Sequence, residues 1–308
     1  MRIASLLASA TEVVYDLGLQ DQLVAISHEC DYPADALSRP RLSRPRFNPA
    51  GLSSGEIDHA VRDAMSQHGS VYQIDEALLA RLQPDLIIAQ AVCQVCAVPT
   101  SLAETVAALL GTRPRILSLD AHRVADILDA IAAVGRAAGV PDRGSRRAAE
   151  LRSRVESVSA RVRGCPRPRV LAIEWLDPPF VPGHWTPEMI ALAGGDNLAG
   201  EAGRPSRQVS WSDLAGLDPD VLVVMPCGYG LAQSLDDAAR FADRLREVAP
   251  RAVGQGRAFV VDGSAYFNRS GPRVVDGVEI LGALLHPGVF PEVSLDGRVE
   301  QWQSGIAA

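Results

Sequence analysis

Ala80-Arg81-Leu82-Gln83-Pro84-Asp85-Leu86-Ile87-Ile88 and Ala215-Gly216-Leu217-Asp218-Pro219-Asp220-Val221-Leu222-Val223-Val224 are two copies of one short pattern. Each is a helix end, a Pro-Asp turn and a short unbroken apolar run. Such a run, bounded by turn chemistry, is what a strand covered by helices on both faces looks like. Both copies therefore predict strands of parallel sheets. Loops beyond the carboxyl ends of such strands are where open α/β sheets hold ligands, and both loops here carry cysteine, at Cys93 and Cys227. The implied architecture is two similar α/β lobes facing each other across a cleft.

At 308 residues the chain exceeds the usual size of a single core, so two domains of about 100 to 200 residues each are expected. A hydrophobic share of 47% and a charged share of 22% fit a globular chain. No apolar run approaches the ~18 residues that mark a membrane span, so no membrane insertion is expected. The net charge of −7 argues against a nucleic-acid partner, because affinity for phosphate backbones rests on clustered positive charge. All basic side chains are arginine and lysine is absent, which reads as genome composition before function.

The amino terminus, Met1-Arg2-Ile3-Ala4-Ser5-Leu6-Leu7, runs straight into a strand-like segment and lacks the longer apolar core and cleavage site of an export signal. Five cysteines, an odd number, fit a reducing compartment. As written the chain reads as cytoplasmic, with a periplasmic setting as the alternative if a signal has been trimmed.

Strand-like runs at 2–7, 23–27, 86–89 and 115–117 alternate with helical patterns at 11–17, 55–65 and 100–110, which is the βαβ signature of an amino-terminal lobe over residues 1–122. Ser9 or Thr11 is the expected cap of the first helix. Residues 123–165 carry no strand signal. Their apolar positions recur at helical spacing and predict two helices, the second long and arginine-rich, acting as a stiff strut between the lobes. The second lobe, 166–308, repeats the alternation with strands at 170–174, 221–225 and 258–262 and helices at 187–193, 235–248 and 274–285, the last of which closes it.

The loops that follow these strands hold a consistent set of residues. The first lobe supplies His28, Glu29, Cys30 and Asp31, then Gln90 with Cys93 and Cys96. The second supplies Trp175, His184, Trp185, Cys227, Tyr229, Tyr266, Phe267 and Arg269. Aromatic residues make up only 5% of the chain, so their concentration at strand ends points to a cleft with apolar walls and a few polar anchors. Arg269 or Arg273 could meet ligand carboxylate or phosphate groups as charge-assisted donors.

Cys93-Gln94-Val95-Cys96 together with His28 and Cys30 offers thiolate and imidazole ligands of the kind zinc favours. The alternatives are a redox Cys-x-x-Cys and a lining role without metal. His59, His68, His122 and His286 read as surface residues and Cys165 as structural. No nucleophile elbow, Walker A sequence, dinucleotide fingerprint or metalloprotease helix occurs, so catalysis is not expected. Gly194-Gly195-Asp196-Asn197 follows a helix and reads as its terminator.

The segments Ser5-Leu6-Leu7-Ala8-Ser9-Ala10-Thr11-Glu12, His28-Glu29-Cys30-Asp31-Tyr32-Pro33 and Ala193-Gly194-Gly195-Asp196-Asn197, with the Pro-Asp strands and the long central helix, resemble solute-binding proteins of the class whose lobes are joined by a rigid helix. Within that class the chain is similar to the cobalamin-binding and siderophore- or haem-binding components of bacterial ABC importers. The resemblance implies a class III periplasmic-binding-protein fold, no catalysis and no required cofactor. It also implies a corrinoid or another metal-bearing ligand between the lobes, and a permease partner docked through Glu76 and Asp213. A cytoplasmic metalloprotein or enzyme on the same fold, carrying Zn or Fe at Cys93, Cys96, Cys30 and His28, is the rival reading.

Overall fold

The computed structural model describes residues 1–91, 98–109 and 113–302. The first lobe runs β1 (Ile3–Ser5), α1 (Ala8–Asp16), β2 (Leu23–Ala25), β3 (Ser43–Pro45), α2 (Ser54–His68), β4 (Tyr72–Ile74), α3 (Glu76–Leu82), β5 (Leu86–Ala89), α4 (Thr100–Leu109) and β6 (Arg115–Ser118). Helices α5 (Val124–Ala137) and α6 (Pro141–Arg161) follow. The second lobe opens with β7 (Arg169–Ile173), the hairpin β8 (Trp175–Leu176) and β9 (Pro179–Val181), α7 (Thr186–Leu192), β10 (Asp196–Asn197), β11 (Arg207–Gln208) and α8 (Trp211–Leu214). It continues through β12 (Val221–Val224), α9 (Leu231–Arg240), α10 (Ala242–Val248), α11 (Pro250–Gly254), β13 (Ala258–Val261), α12 (Gly263–Tyr266), α13 (Val274–Leu285) and β14 (Val299–Gln301).

Both Pro-Asp segments become central strands, as their apolar runs predict. One sheet has the order β2-β1-β5-β6 and is parallel throughout. The other has the order β10-β7-β12-β13-β14, parallel except for the antiparallel edge β14. The Asp85 and Asp220 carboxylates anchor the two turns alike, each accepting the backbone N–H of a neighbouring strand start, at Arg2 and Arg169, over 2.7 Å.

Strand alternation divides the apolar residues between three cores. Ile3, Leu86 and Ile88 of the first sheet, and Val170, Ala172, Val221 and Val223 of the second, belong to one cluster with α1, α5, α6 and α13. Their sequence neighbours point the other way, Ile87 and Ala89 into a core private to the first lobe, and Leu171, Ile173, Leu222 and Val224 into one private to the second. A core shared between sheets couples the lobes far more strongly than a linker would.

Helix α6 has 21 residues, about 31 Å at the α-helical rise, and is tied at both ends. Arg143 donates to Leu17 O (2.7 Å) and Arg147 pairs with Asp16 (2.6 Å) on the first lobe. On the second, Arg154 pairs with Glu279 (2.9 Å) and Asp276 (2.5 Å), and Ser159 donates to Leu192 O (3.0 Å).

Helices α5 and α6 meet backbone to backbone. A Cβ on Gly135 would lie 2.8 Å from Gly144 Cα. Gly135→Ala is therefore expected to cost about 1–3 kcal/mol by overpacking. A melting temperature unchanged from wild type would show that the two helices part freely.

Three local expectations are corrected. Helix α1 starts at Ala8 with Leu7 in the capping position and no side-chain cap, and Ser9 and Thr11 are buried within it. The helical pattern at 235–248 is two helices that break at Phe241. The carboxy-terminal helix is not the last element, because β14 adds to the sheet edge beyond it. No helix among the described residues is long and apolar enough to cross a membrane.

Candidate functional site

Loops at the carboxyl ends of the strands meet between the lobes and are bolted there by ion pairs. Arg269, three residues past the end of α12 in the second lobe, grips the Asp31 carboxylate through two nitrogens (2.5 and 2.9 Å) and donates to Glu29 O (3.1 Å). Arg273 grips Glu12 of α1 in the same bidentate way (2.9 and 2.6 Å). Glu12 is 4% exposed. Burial holds its carboxyl above the ordinary range even with Arg273 attached. Burial also raises Asp31, but the hydrogen bond and charge of Arg269 outweigh it and leave that carboxyl low. Tyr32 and Tyr266 flank Arg273, with ring centroids 4.3 and 5.8 Å from its guanidinium carbon.

The cleft interior is lined by aromatic and acidic groups. From the first lobe come Tyr72, with its ring 4.8 Å from His28, and Glu29, whose carboxylate is 3.0 Å from His28 Nε2. His28 Nδ1 lies 2.8 Å from Ser43 Oγ. Burial pushes the Glu29 carboxyl up, but His28 and Arg269 together hold it below its ordinary range. From the second lobe come Trp175 against Tyr229 (centroids 5.1 Å apart), Trp185, Tyr266, Cys227 and Glu174. Burial and the carboxylates of Glu174 and Glu29, one from each lobe, push the Cys227 thiol up to about 12.

Helix α2 of the first lobe reaches across to the second. Ser54 donates to Asp237 (3.1 Å) and Arg62 to Gln208 (3.1 Å), both on the second lobe. At Gly55 the helix backbone meets the Asp177 side chain, since a Cβ there would lie 2.5 Å from Asp177 Oδ2. An open groove of about 790 Å³ remains between α2 and the hairpin.

The structure separates the residues predicted from sequence. His28, Glu29, Asp31 and Arg269 are joined by ion pairs and hydrogen bonds, Cys227 feels the charge of Glu29, Trp175 lies against Tyr229, Tyr266 lies beside Arg273, Trp185 donates to Phe267 O, and Gln90 is buried at the end of β5. His184 holds a positive φ of 50°, with its ring 5.7 Å from both His122 and Trp185. Burial and His122 depress its basicity.

Phe267 is fully buried at 0% exposure and belongs to the core, so its expected place on the ligand wall is corrected. Cys30 is 1% exposed, with its sulfur 3.0 Å from Thr11 Oγ1, and burial raises its thiol above the ordinary range. Arg269 and Arg273 are consumed by Asp31 and Glu12 rather than held ready for a ligand anion. His286, read as a surface residue, is buried beside Gly194 O (3.3 Å).

The metal reading of Cys93, Cys96, Cys30 and His28 finds no support. Cys30 is spent on the core and His28 on Ser43 and Glu29. No group of three or more His, Cys, Asp or Glu able to hold a metal occurs among the described residues. Cys93 and Cys96 lie outside the described residues. Glu76 and Asp213 are both exposed in the first turns of α3 and α8, and Asp213 completes a capping box with Ser210. The roles of Glu12 and Tyr72 were missed. Nothing local marks them, because each acquires its neighbours from the opposite lobe or a distant loop.

Two parallel-sheet lobes with a shared core and a strut tied to both have the architecture of a two-lobed solute-binding protein. The chain belongs to the periplasmic binding protein family, which it matches over residues 3–257. It is 26% identical over 281 residues to the vitamin B12-binding protein of Vibrio cholerae serotype O1, covering 90% of this chain and 86% of that protein. It is 22% identical over 303 residues to an uncharacterized ABC transporter substrate-binding lipoprotein of Bacillus subtilis (strain 168), covering 94% of this chain and 82% of that one.

Among solved structures, the periplasmic vitamin B12 binding protein of Vibrio cholerae superposes with a TM-score of 0.68 at 24% identity, covering 92% of this chain and 96% of that one. The apo periplasmic heme-binding protein of Roseiflexus sp. RS-1 gives 0.67 at 22%, covering 94% and 98%.

The chain is thus a solute-binding protein of the periplasmic binding protein family. The expectation of a cytoplasmic protein is overturned. The family and its solved relatives are periplasmic, and the Bacillus relative is a lipoprotein.

Proposed function

We propose that the chain captures a corrinoid between its lobes and delivers it to an ABC permease. The observation that supports this reading most is the state of the cleft arginines. Arg269 and Arg273 are each neutralised by a bidentate carboxylate, at Asp31 and Glu12. What is left facing a ligand is aromatic surface and hydrogen-bond acceptors, which suits the amide-rich rim of a corrinoid better than the carboxylates of a haem. In this reading α2 lifts from the hairpin to admit the ligand, while the strut keeps the lobes in place. Residues 1–122 and 166–308 act as the two walls, 123–165 as the strut, and exposed Glu76 and Asp213 as the permease contacts.

Titration of Trp175 and Trp185 fluorescence with cobalamin, cobinamide and haem tests the reading. Saturable quenching by the corrinoids, at concentrations at least tenfold below those haem requires, is the expected outcome. Haem binding as tightly as cobalamin, or no binding by any of the three, overturns it.

A further inference from the structure

Helix α2 belongs to the first lobe by its apolar side, where Val61 and Met65 pack on that lobe's private core. It meets the second lobe through polar groups. Ser54, its first residue, donates to Asp237 Oδ1 of α9 over 3.1 Å, the Asp177 side chain of the hairpin lies against Gly55, and Arg62 donates to Gln208 over 3.1 Å. Asp237 is 2% exposed, yet its second oxygen, Oδ2, is buried without a hydrogen-bond partner among the described residues, as is Ser234 Oγ three residues earlier on the same helix. A carboxylate so placed has exchanged its water for one hydroxyl, which leaves much of its desolvation uncompensated. Arg240 on its own helix favours its charge, whereas burial and the Asp177 carboxylate oppose it and prevail, so the carboxyl stands above its ordinary value. Tyr229, beside Trp175, feels that charge as well.

We infer that Ser54 and Asp237 form a latch that fastens α2 to the second lobe and is loaded against itself: the hydroxyl holds the lobes together, while the half-satisfied buried carboxylate favours their parting. Lifting α2 widens the groove of about 790 Å³ lined by Ser53, Gly55, Asp177 and Gln208 and returns the carboxylate to water. The inference rests on the lid movement in the corrinoid reading, not on which ligand enters. It makes the two partners act with opposite sign. Removing the Ser54 hydroxyl leaves the carboxylate without its donor and loosens α2, whereas neutralising Asp237 with its shape kept tightens it.

The test is hydrogen exchange at the backbone amides of residues 54 and 55 in the ligand-free full chain, read by NMR at neutral pH. Both lie in the first turn of α2, where N–H groups have no intrahelical acceptor, and Ser54 is 1% exposed. Their exchange, corrected for intrinsic rates, therefore follows the parting of α2 from α9. Ser54→Ala is expected to speed it by about tenfold, the scale of one hydrogen bond to a charged group. Asp237→Asn, which keeps an acceptor for Ser54 and removes the charge, is expected to slow it by about tenfold. In all three proteins residues 54 and 55 are expected to exchange faster than the amides of β12 by about tenfold or more, because α2 parts without unfolding the sheet. A plain structural hydrogen bond would give faster exchange in both variants. That result, a wild-type rate in either variant, or residues 54 and 55 exchanging no faster than β12 overturns the inference. No ligand is present, so each of these outcomes leaves the corrinoid reading to its own titration.

Discussion

Arg273→Ala is expected to cost about 3–5 kcal/mol of folding stability, because it leaves a buried carboxylate without its partner. Glu12 is 4% exposed and has Arg273 as its bidentate partner, with Arg269 next at 3.7 Å. Its folded carboxyl already sits above the ordinary value of 4.5 because burial outweighs Arg273. Removing the arginine raises it further. An acid whose folded pKa is raised binds protons more readily when folded. Its penalty is therefore absent below the unfolded pKa and grows as pH rises through the folded one.

The gap between wild type and variant should accordingly be widest near neutrality and close as pH falls through the folded pKa of wild-type Glu12, which lies above 4.5, because the carboxyl is then protonated in both folded proteins. The paired replacement Glu12→Leu with Arg273→Met should recover most of the loss, since it removes both charges and leaves apolar volume. Urea denaturation followed by circular dichroism measures all three proteins. A single-variant loss under about 1 kcal/mol would mean the pair is hydrated and the lobes are not held by it.

Phe267→Ala is expected to destabilise by about 3–5 kcal/mol, the range for deleting a large aromatic side chain from a packed core. Phe267→Leu, which keeps most of the volume, should cost far less. The position lies between two cleft residues, Tyr266 and Arg269, so the pair of variants separates a core role from a ligand-contact role. Phe267 also holds the wall in place through its backbone, because its carbonyl accepts from Trp185 Nε1 (2.6 Å) and its N–H donates to Gly263 O (3.1 Å). If the residue belongs to the core alone, Phe267→Leu binds cobalamin as the wild type does while melting lower. A Phe267→Leu protein with wild-type stability and weakened binding would restore the side chain to the ligand wall.

Much of the fold was legible in local pattern. The apolar runs after Pro84-Asp85 and Pro219-Asp220 became β5 and β12 because a strand buried on both faces needs no alternation, only length and a turn before it. Helix α13 was placed at Val274–Leu285 by its apolar repeat. The hairpin β8–β9 and the pair β3–β4 were not placed. Their strands are two or three residues long, and Pro45, Pro178 and Pro179 read as turn chemistry. The compartment was misread because cysteine number is a statistical proxy for redox environment, whereas kinship with periplasmic proteins bears on location directly.

By itself the sequence determined the two-lobed parallel architecture, the helical strut, the acidic character that argues against a nucleic-acid partner, and the placing of aromatic residues at strand ends. All of these follow from interactions within a few residues of each other: helical or strand periodicity, turn chemistry and composition. Only the tertiary structure decided that Arg269 and Arg273 are spent on Asp31 and Glu12, pairs separated by 238 and 261 residues. It also decided that Phe267 and Cys30 turn into the core. Charge and burial are sums over everything nearby in space, so the same arginine is a ligand anchor or a structural bolt according to which distant carboxylate the fold sets against it.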